Sequence, residues 1–287
     1  MDIKTLKEIK YYVEAVAVEA GKAILSFSKE SLKIQFKEGA SSEASSVVTD
    51  ADRLSQKIIT DQLLPFCKQF NLGFLAEEEP DRLDRLHKDA FFCVDPLDGT
   101  LAFTNGIDGY SVSIAIVSKS GESLLGVVYD PEKDDLYSAL KNNGAFKNRL
   151  TLKITGPAEL KNGIFITDKS FEKHLLYKET LSLFNDNNFT LKISQSGAVL
   201  NALSTLSEDV YSYFKFPKNV PGGGSLWDFA ATSCICKEAG GSVSDILGNP
   251  IELNRKESSF LNHKGVIYSQ SNQISTRIIE MYQSLNL

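Results

Sequence analysis

The chain has 287 residues, 42% apolar and 24% charged, a balance that allows one large domain or two ordinary ones and excludes a disordered or fibrous chain. Its 31 Lys and Arg against 37 Asp and Glu leave a net charge of −6, which gives no general attraction to a nucleic acid polymer or an anionic membrane. An anionic ligand would need positive charge supplied locally.

The four cysteines (Cys67, Cys93, Cys234, Cys236) have no framework spacing, and the polar start Met1-Asp2-Ile3-Lys4 lacks a signal-peptide core. No run approaches the ~18 apolar residues that span a bilayer. The expectation is a soluble protein in a reducing cytoplasm, without membrane or nucleic acid partners.

In chain order, Leu6, Ile9, Val13, Val16, Ala20, Ile24 and Phe27 recur at steps of three or four, the stripe of a long amphipathic helix. Residues 37–46 are polar and Ser-rich and read as a loop. Thr49 and Asp52 then form a capping pair for a helix near 50–66. From Phe91 short apolar and β-branched runs predict strands at 91–94, 112–117, 124–129 and 136–140, followed by the turn Asn142-Asn143-Gly144. Further strands are predicted at 164–167, 191–194, 210–216 and 266–269, and helices near 197–206, 228–239 and 271–285.

The sharpest motif is Asp95-Pro96-Leu97-Asp98-Gly99-Thr100, after an apolar strand. Pro96 cannot donate to a ladder and Gly99 permits a bend, so the strand is expected to end there, and the turn can aim Asp95 and Asp98 at one point. Two carboxylates that close resist joint ionisation unless a cation lies between them. An ordinary Asp- and Gly-rich turn fits the motif equally well. The acidic stretch Glu77-Glu78-Glu79 reads by itself as a solvated loop, and Asp228 as a helix N-cap ahead of Gly240-Gly241.

Taken together, every candidate ligand is an oxygen donor, and His87, His174 and His263 show no metal-ligand spacing. Such a set selects Mg²⁺, Mn²⁺ or Ca²⁺ over zinc, and Mg²⁺ beside backbone amides points to phosphate chemistry. Competing chemistries fail on spacing. No cysteine is followed six positions later by Arg, Asp95 and Asp98 are three rather than two apart, and Gly222-Gly223-Gly224 lacks the Lys of a P-loop and reads as a flexible connection.

Val48-Thr49-Asp50, Glu77-Glu78, Asp95 to Thr100 with Phe103, and Trp227-Asp228-Phe229-Ala230-Ala231 continuing to Gly240-Gly241 resemble the inositol monophosphatase superfamily almost end to end. That superfamily includes the CysQ-like 3'(2'),5'-bisphosphate nucleotidases. The resemblance implies a layered α/β (αβαβα) sugar-phosphatase, fructose-1,6-bisphosphatase-like fold. An antiparallel sheet lies in an N-terminal α+β half (1–150) and a mixed sheet in a C-terminal α/β half (151–287), with the site between them.

It implies one metal at Glu77, Asp95 and the Leu97 carbonyl, and a second at Asp95, Asp98 and Asp228. A third, weaker ion would bind through Glu77, giving two or three Mg²⁺ ions. Asp50 and Thr100 would orient and deprotonate the attacking water, with Glu77 assisting. Gly99, Thr100, Ser196, Gly197 and Tyr213 would contact substrate.

The function so implied is Mg²⁺-dependent, lithium-sensitive hydrolysis of a small soluble phosphomonoester. The alternatives are hydrolysis of 3'-phosphoadenosine 5'-phosphate and a catalytically silent phosphate- or metal-binding regulatory protein. Neither substrate signature is intact: Leu101, Ala102 and Val199 stand where the nucleotidases carry Lys, Glu and Lys, and Tyr213 where the inositol enzymes carry Glu. The superfamily holds both dimers and monomers, so a homodimer is an open expectation.

Overall fold

Residues 1–27, 34–36, 47–154, 156–157, 163–220, 222 and 224–285 are described by a computed structural model. The expected loop at 37–46 and Gly223 of the expected glycine connection lie outside them.

The first layer is made by helices α1 (Ile3–Leu25) and, after the short antiparallel pair β1 (Ile34–Phe36) and β2 (Val47–Thr49), α2 (Asp50–Phe70). The periodic stripe of α1 is buried from Leu6 through Ile24 as its spacing predicts. Thr49 and Asp52 form a reciprocal capping box at the start of α2.

The second layer is a seven-stranded sheet that contains β3 (Gly73–Ala76), β4 (Ala90–Asp98), β5 (Ser111–Ser118), β6 (Ser123–Asp130), β7 (Asp135–Leu140), β8 (Ala145–Lys147) and β9 (Leu150–Leu152), in that spatial order. The short helix α3 (Thr100–Asn105) follows β4. All neighbours in this sheet are antiparallel except β3 and β4, which run parallel. Alternation divides β4: Phe92 and Val94 face the two helices, while Phe91 and Cys93 face the interior.

After β10 (Ile164–Asp168), α4 (Tyr177–Asp186), β11 (Thr190–Ser194), α5 (Ala198–Ser204), β12 (Val210–Lys215), α6 (Leu226–Glu238), β13 (Ser242–Ser244), β14 (Val266–Ser269) and α7 (Asn272–Leu285) complete the chain. The second sheet has the order β11-β10-β12-β14-β13. Its β10 is parallel to β11 and β12, and β14 antiparallel to β12 and β13, so the sheet is mixed as expected.

Helices α5 and α6 contribute to the core between the two sheets. Residues on every side of α6 are buried, from Leu226 through Cys236, the pattern of a helix enclosed by protein on all faces. The outer face of the smaller sheet packs Phe165, Phe214 and Ile267 against residues of α4 and α7. The sequence of layers is therefore αβαβα. No helix among the described residues is long and apolar enough to cross a membrane.

Candidate active site

The strand does not end at Asp95, as Pro96 had suggested, but continues to Asp98 through a bulge. Asp95 pairs with Ser113 and Asp98 with Ser111, so Pro96 and Leu97 together oppose Val112. On a regular strand, residues three apart point to opposite faces. The one extra residue resets that alternation and lets both carboxylates turn the same way. Proline suits this place because a bulge leaves a residue outside the ladder. The Ser55 hydroxyl on α2 donates to the Pro96 carbonyl at 2.6 Å and the Leu97 amide to Asp95 Oδ1 at 3.0 Å, fixing the bulge.

Carboxylate oxygens of Asp95, Asp98 and Asp228 all lie within 4.8 Å of one another. Asp228 arrives from the first turn of α6. The N-cap is Ser225 rather than Asp228, and Asp228 is the third helical residue, with Oδ2 accepting from the Ser225 amide at 3.0 Å. The helix is anchored to the larger sheet by hydroxyls of Ser113 and Ser123, which donate to the carbonyls of Trp227 and Ala230. Asp98 is held from the opposite side, because Ala198 and Val199 at the start of α5 donate their amides to Oδ1 and Oδ2 at 3.0 and 2.9 Å.

Burial pushes the carboxyls of Asp95 and Asp98 well above their ordinary value. Glu77, Asp98 and Asp228 add to the shift at Asp95, and Asp228 adds to it at Asp98. Burial also raises Asp228, against an opposing pull from Lys215. Two buried acids and a half-buried third, all of them oxygen donors, fit a hard divalent cation, which would let them ionise together.

Glu77 follows β3 directly. Its amide donates to the Val94 carbonyl at 3.2 Å, and the charge of its half-buried side chain acts on Asp95, although Glu77 is not one of the three carboxylates that converge. The Leu97 carbonyl, an expected ligand, lies 3.1 Å from the Thr100 hydroxyl, whose single hydrogen it shares with the nearer Asp52 Oδ1, and it keeps a second lone pair.

The expected pairing of Thr100 with Asp50 is not what the structure brings together. Thr100 Oγ1 donates to Asp52 Oδ1 at 2.9 Å, while Asp50 is half-exposed at the first position of α2. Asp52 Oδ2 meanwhile accepts the amide and hydroxyl of Thr49 at 2.7 and 2.6 Å. One carboxylate thus caps the helix with one oxygen and holds Thr100 with the other. Burial raises its pKa to about 6 despite those bonds.

Gly99 precedes Thr100 at φ +85° and Gly197 donates its amide to the Gly109 carbonyl at 2.7 Å. A Cβ at Gly197 would stand 2.1 Å from Asp98 Oδ2, closer than any non-bonded carbon and oxygen can be. Gly197→Ala is therefore expected to displace Asp98 and to lose about 2 kcal/mol in stability, measured by denaturant melts.

Ser196 is half-buried beside Gly109. Tyr213, expected to touch substrate, is instead fully buried with its hydroxyl given to Asp168 at 3.0 Å. Asp168 and Lys215, whose side chains form a 2.6 Å ion pair, were not among the residues singled out from the sequence. The alternation of the 210–216 strand, which puts Lys215 on the Tyr213 face, is the signal that could have found Lys215.

The family profile described as "Inositol monophosphatase family" matches residues 5–286. The chain is 30% identical over 236 residues to a fructose-1,6-bisphosphatase/inositol-1-monophosphatase of Thermotoga maritima, covering 82% of this chain and 84% of that one. It is likewise 30% identical over 203 residues to the Nus factor SuhB of Pasteurella multocida, covering 70% and 72%.

Among solved structures, the extragenic suppressor protein suhB of Bartonella henselae superposes with a TM-score of 0.78 at 25% identity over 96% of this chain and 98% of that one. An IMPase/NADP phosphatase complexed with Mg²⁺ and phosphate shares the fold at TM-score 0.78 and 17% identity, covering 96% and 95%. The αβαβα layering is that of the inositol monophosphatase and fructose-1,6-bisphosphatase fold. By its profile match, its relatives and its architecture, the chain belongs to the inositol monophosphatase family.

Proposed function

We propose that the protein is a Mg²⁺-dependent phosphatase acting by water attack on a small soluble phosphomonoester, of the inositol monophosphatase type. The observation that carries this reading is the convergence of Asp95, Asp98 and Asp228 within 4.8 Å, beside a buried Thr100–Asp52 pair. Family membership supports phosphatase chemistry, and the Mg²⁺ and phosphate in a protein of the same fold support the choice of ion.

Asp95, Asp98 and Asp228 would hold Mg²⁺, with Glu77 and the Leu97 carbonyl completing the set. The bound ions would acidify water and offset phosphate charge. Asp52 takes the place first given to Asp50. Its Oδ1 keeps the Thr100 hydroxyl oriented, and that hydroxyl in turn accepts a proton from the attacking water as its own is drawn toward Asp52. The first amides of α3 offer donors for the phosphoryl oxygens. No side chain is required as a nucleophile, and the reacting water displaces the alcohol directly.

Phosphate release measured with Mg²⁺ on inositol 1-phosphate, 3'-phosphoadenosine 5'-phosphate and fructose 1,6-bisphosphate tests this reading and its nucleotidase alternative. A preference in kcat/KM of about a hundredfold for one of them assigns the substrate branch. Millimolar Li⁺ is expected to inhibit the preferred reaction. Turnover of none of the three favours the second reading, a regulatory protein without catalysis, which the Nus factor name of the SuhB relatives also prompts.

A further inference from the structure

Asp95 and Asp98 share β4, but Glu77 and Asp228 reach the site from other elements. Glu77 follows β3, an edge strand held on one side only, by β4. Asp228 stands on α6, in the layer between the sheets. Between β3 and β4 the chain makes a single 3-10 turn, Asp84–Leu86, and Arg85 within it is 1% exposed. A guanidinium so buried is costly unless acceptors meet its donors.

Arg85 Nε donates to Asp81 Oδ2 at 2.9 Å, closing the segment that runs on from Glu77. Its Nη1 reaches out of that segment, to Asn254 Oδ1 at 2.7 Å and the Arg255 carbonyl at 2.8 Å. Asn254 Nδ2 donates in return to the Arg85 carbonyl at 3.0 Å, and to the Lys119 carbonyl at 2.9 Å. Two residues 169 apart in the chain thus exchange hydrogen bonds in both directions.

The strap that begins at Asn254 continues to α6. Arg255 Nη1 donates to the Phe260 carbonyl at 3.3 Å, and Phe260 forms an antiparallel bridge with Ser225. On either side of that bridge the Leu226 amide donates to the Ser259 carbonyl at 2.8 Å and the Leu261 amide to the Gly224 carbonyl at 3.0 Å. Ser225 is the N-cap whose amide holds Asp228 Oδ2. An unbroken path of contacts therefore runs from Asp81 through Arg85, the 254–261 strap and Ser225 to Asp228.

We propose that Arg85 and Asn254 are positioning residues of the active centre: their mutual clasp fixes the Glu77 segment against the first turn of α6, so that Glu77 and Asp228 keep the places around Asp95 that bound cations require. The inference rests on the phosphatase reading above and adds to it two residues outside the carboxylate cluster. Groups that orient ligands from behind in this way contribute about 10- to 100-fold to metal affinity. A lysine cannot replace Arg85 in the role, because one ammonium does not serve the Nε and Nη1 directions of a planar fork together.

Titration calorimetry with Mg²⁺ alone reads the effect without turnover. Asn254→Ala and Arg85→Lys are each expected to raise the Kd for Mg²⁺ about tenfold or more. The double variant should bind no more weakly than the weaker single one, because both changes open the same clasp. Ile278→Ala, in the core outside the smaller sheet, loses stability without touching the strap and should keep the wild-type Kd. An unchanged Kd in Asn254→Ala, additive losses in the double variant, or an equal loss in Ile278→Ala overturns the positioning role. A wild-type protein that binds no Mg²⁺ at all contradicts the metal-dependent phosphatase reading itself. Should Arg85→Lys not fold, Asn254→Ala against Ile278→Ala carries the test.

Discussion

Asp95→Asn is expected to lower Mg²⁺-dependent turnover about 10³-fold, the several kcal/mol that cation-assisted charge stabilisation contributes, while making the metal-free protein more stable. The two effects share one cause. Asparagine keeps the acceptor that the Leu97 amide uses, but removes a charge that burial, Glu77, Asp98 and Asp228 all oppose.

Because the folded Asp95 binds its proton more tightly than the unfolded chain, its contribution to stability is complete below the unfolded value of 3.8. That contribution is lost as pH rises toward the folded value. The metal-free wild type should therefore weaken from mild acid to neutrality, and Asp95→Asn should lack that share of the decline. At neutral pH the variant is expected to melt a few degrees higher, about 1 kcal/mol or more. Added Mg²⁺ should raise the melting temperature of the wild type by about 5 °C at a hundred times its Kd and that of the variant far less. Scanning calorimetry across pH, with and without Mg²⁺, checks both halves.

The second large effect separates two aspartates only two residues apart. Asp52→Asn is expected to reduce kcat by about 10²- to 10⁴-fold, the range for a positioned proton acceptor, because Oδ1 of Asp52 holds Thr100. Asp50→Asn should stay within about threefold, since a half-exposed acid at the start of a helix contributes mainly a small dipole interaction. The pH profile adds a signature. With Asp52 pushed up to about 6, kcat/KM of the wild type should fall on the acid side at or somewhat below that value, cations nearby favouring the anion. The residual activity of Asp52→Asn should lose that limb.

Asp52 rather than Asp50 holds Thr100, and the reason this was not legible is physical. Thr49 and Asp52 are legible as a capping box, and on local grounds that role accounts for Asp52. A carboxylate has two oxygens, however, and only one is consumed by Thr49. The second use depends on Thr100, 48 residues away, which no local pattern reports.

The bulge at Pro96-Leu97 is similar. Proline signalled an interruption, but a strand end and a strand bulge look alike until the partner strand is known. Long periodic segments such as α1 were plain from their spacing. Three-residue strands such as β8, β9 and β13 contain too few alternations to stand out. The helix α4 was missed although Thr180 and Phe184, four positions apart, mark its buried face. Asp95, Asp98 and Asp228, which the fold brings together, were legible as candidates because each stands in a motif whose chemistry is local. The burial of Tyr213 was not legible because it is set by β14 and by Asp168, neither of which is near it in the chain.

Crystals grown or soaked in Mn²⁺, a hard divalent ion with a usable anomalous signal, would place metal directly. The prediction is an anomalous peak within coordination distance, about 2.0–2.3 Å, of carboxylate oxygens from Asp95, Asp98 and Asp228 together. Saturating Mn²⁺ with no peak there, or with those three side chains turned to separate surroundings, would contradict the account.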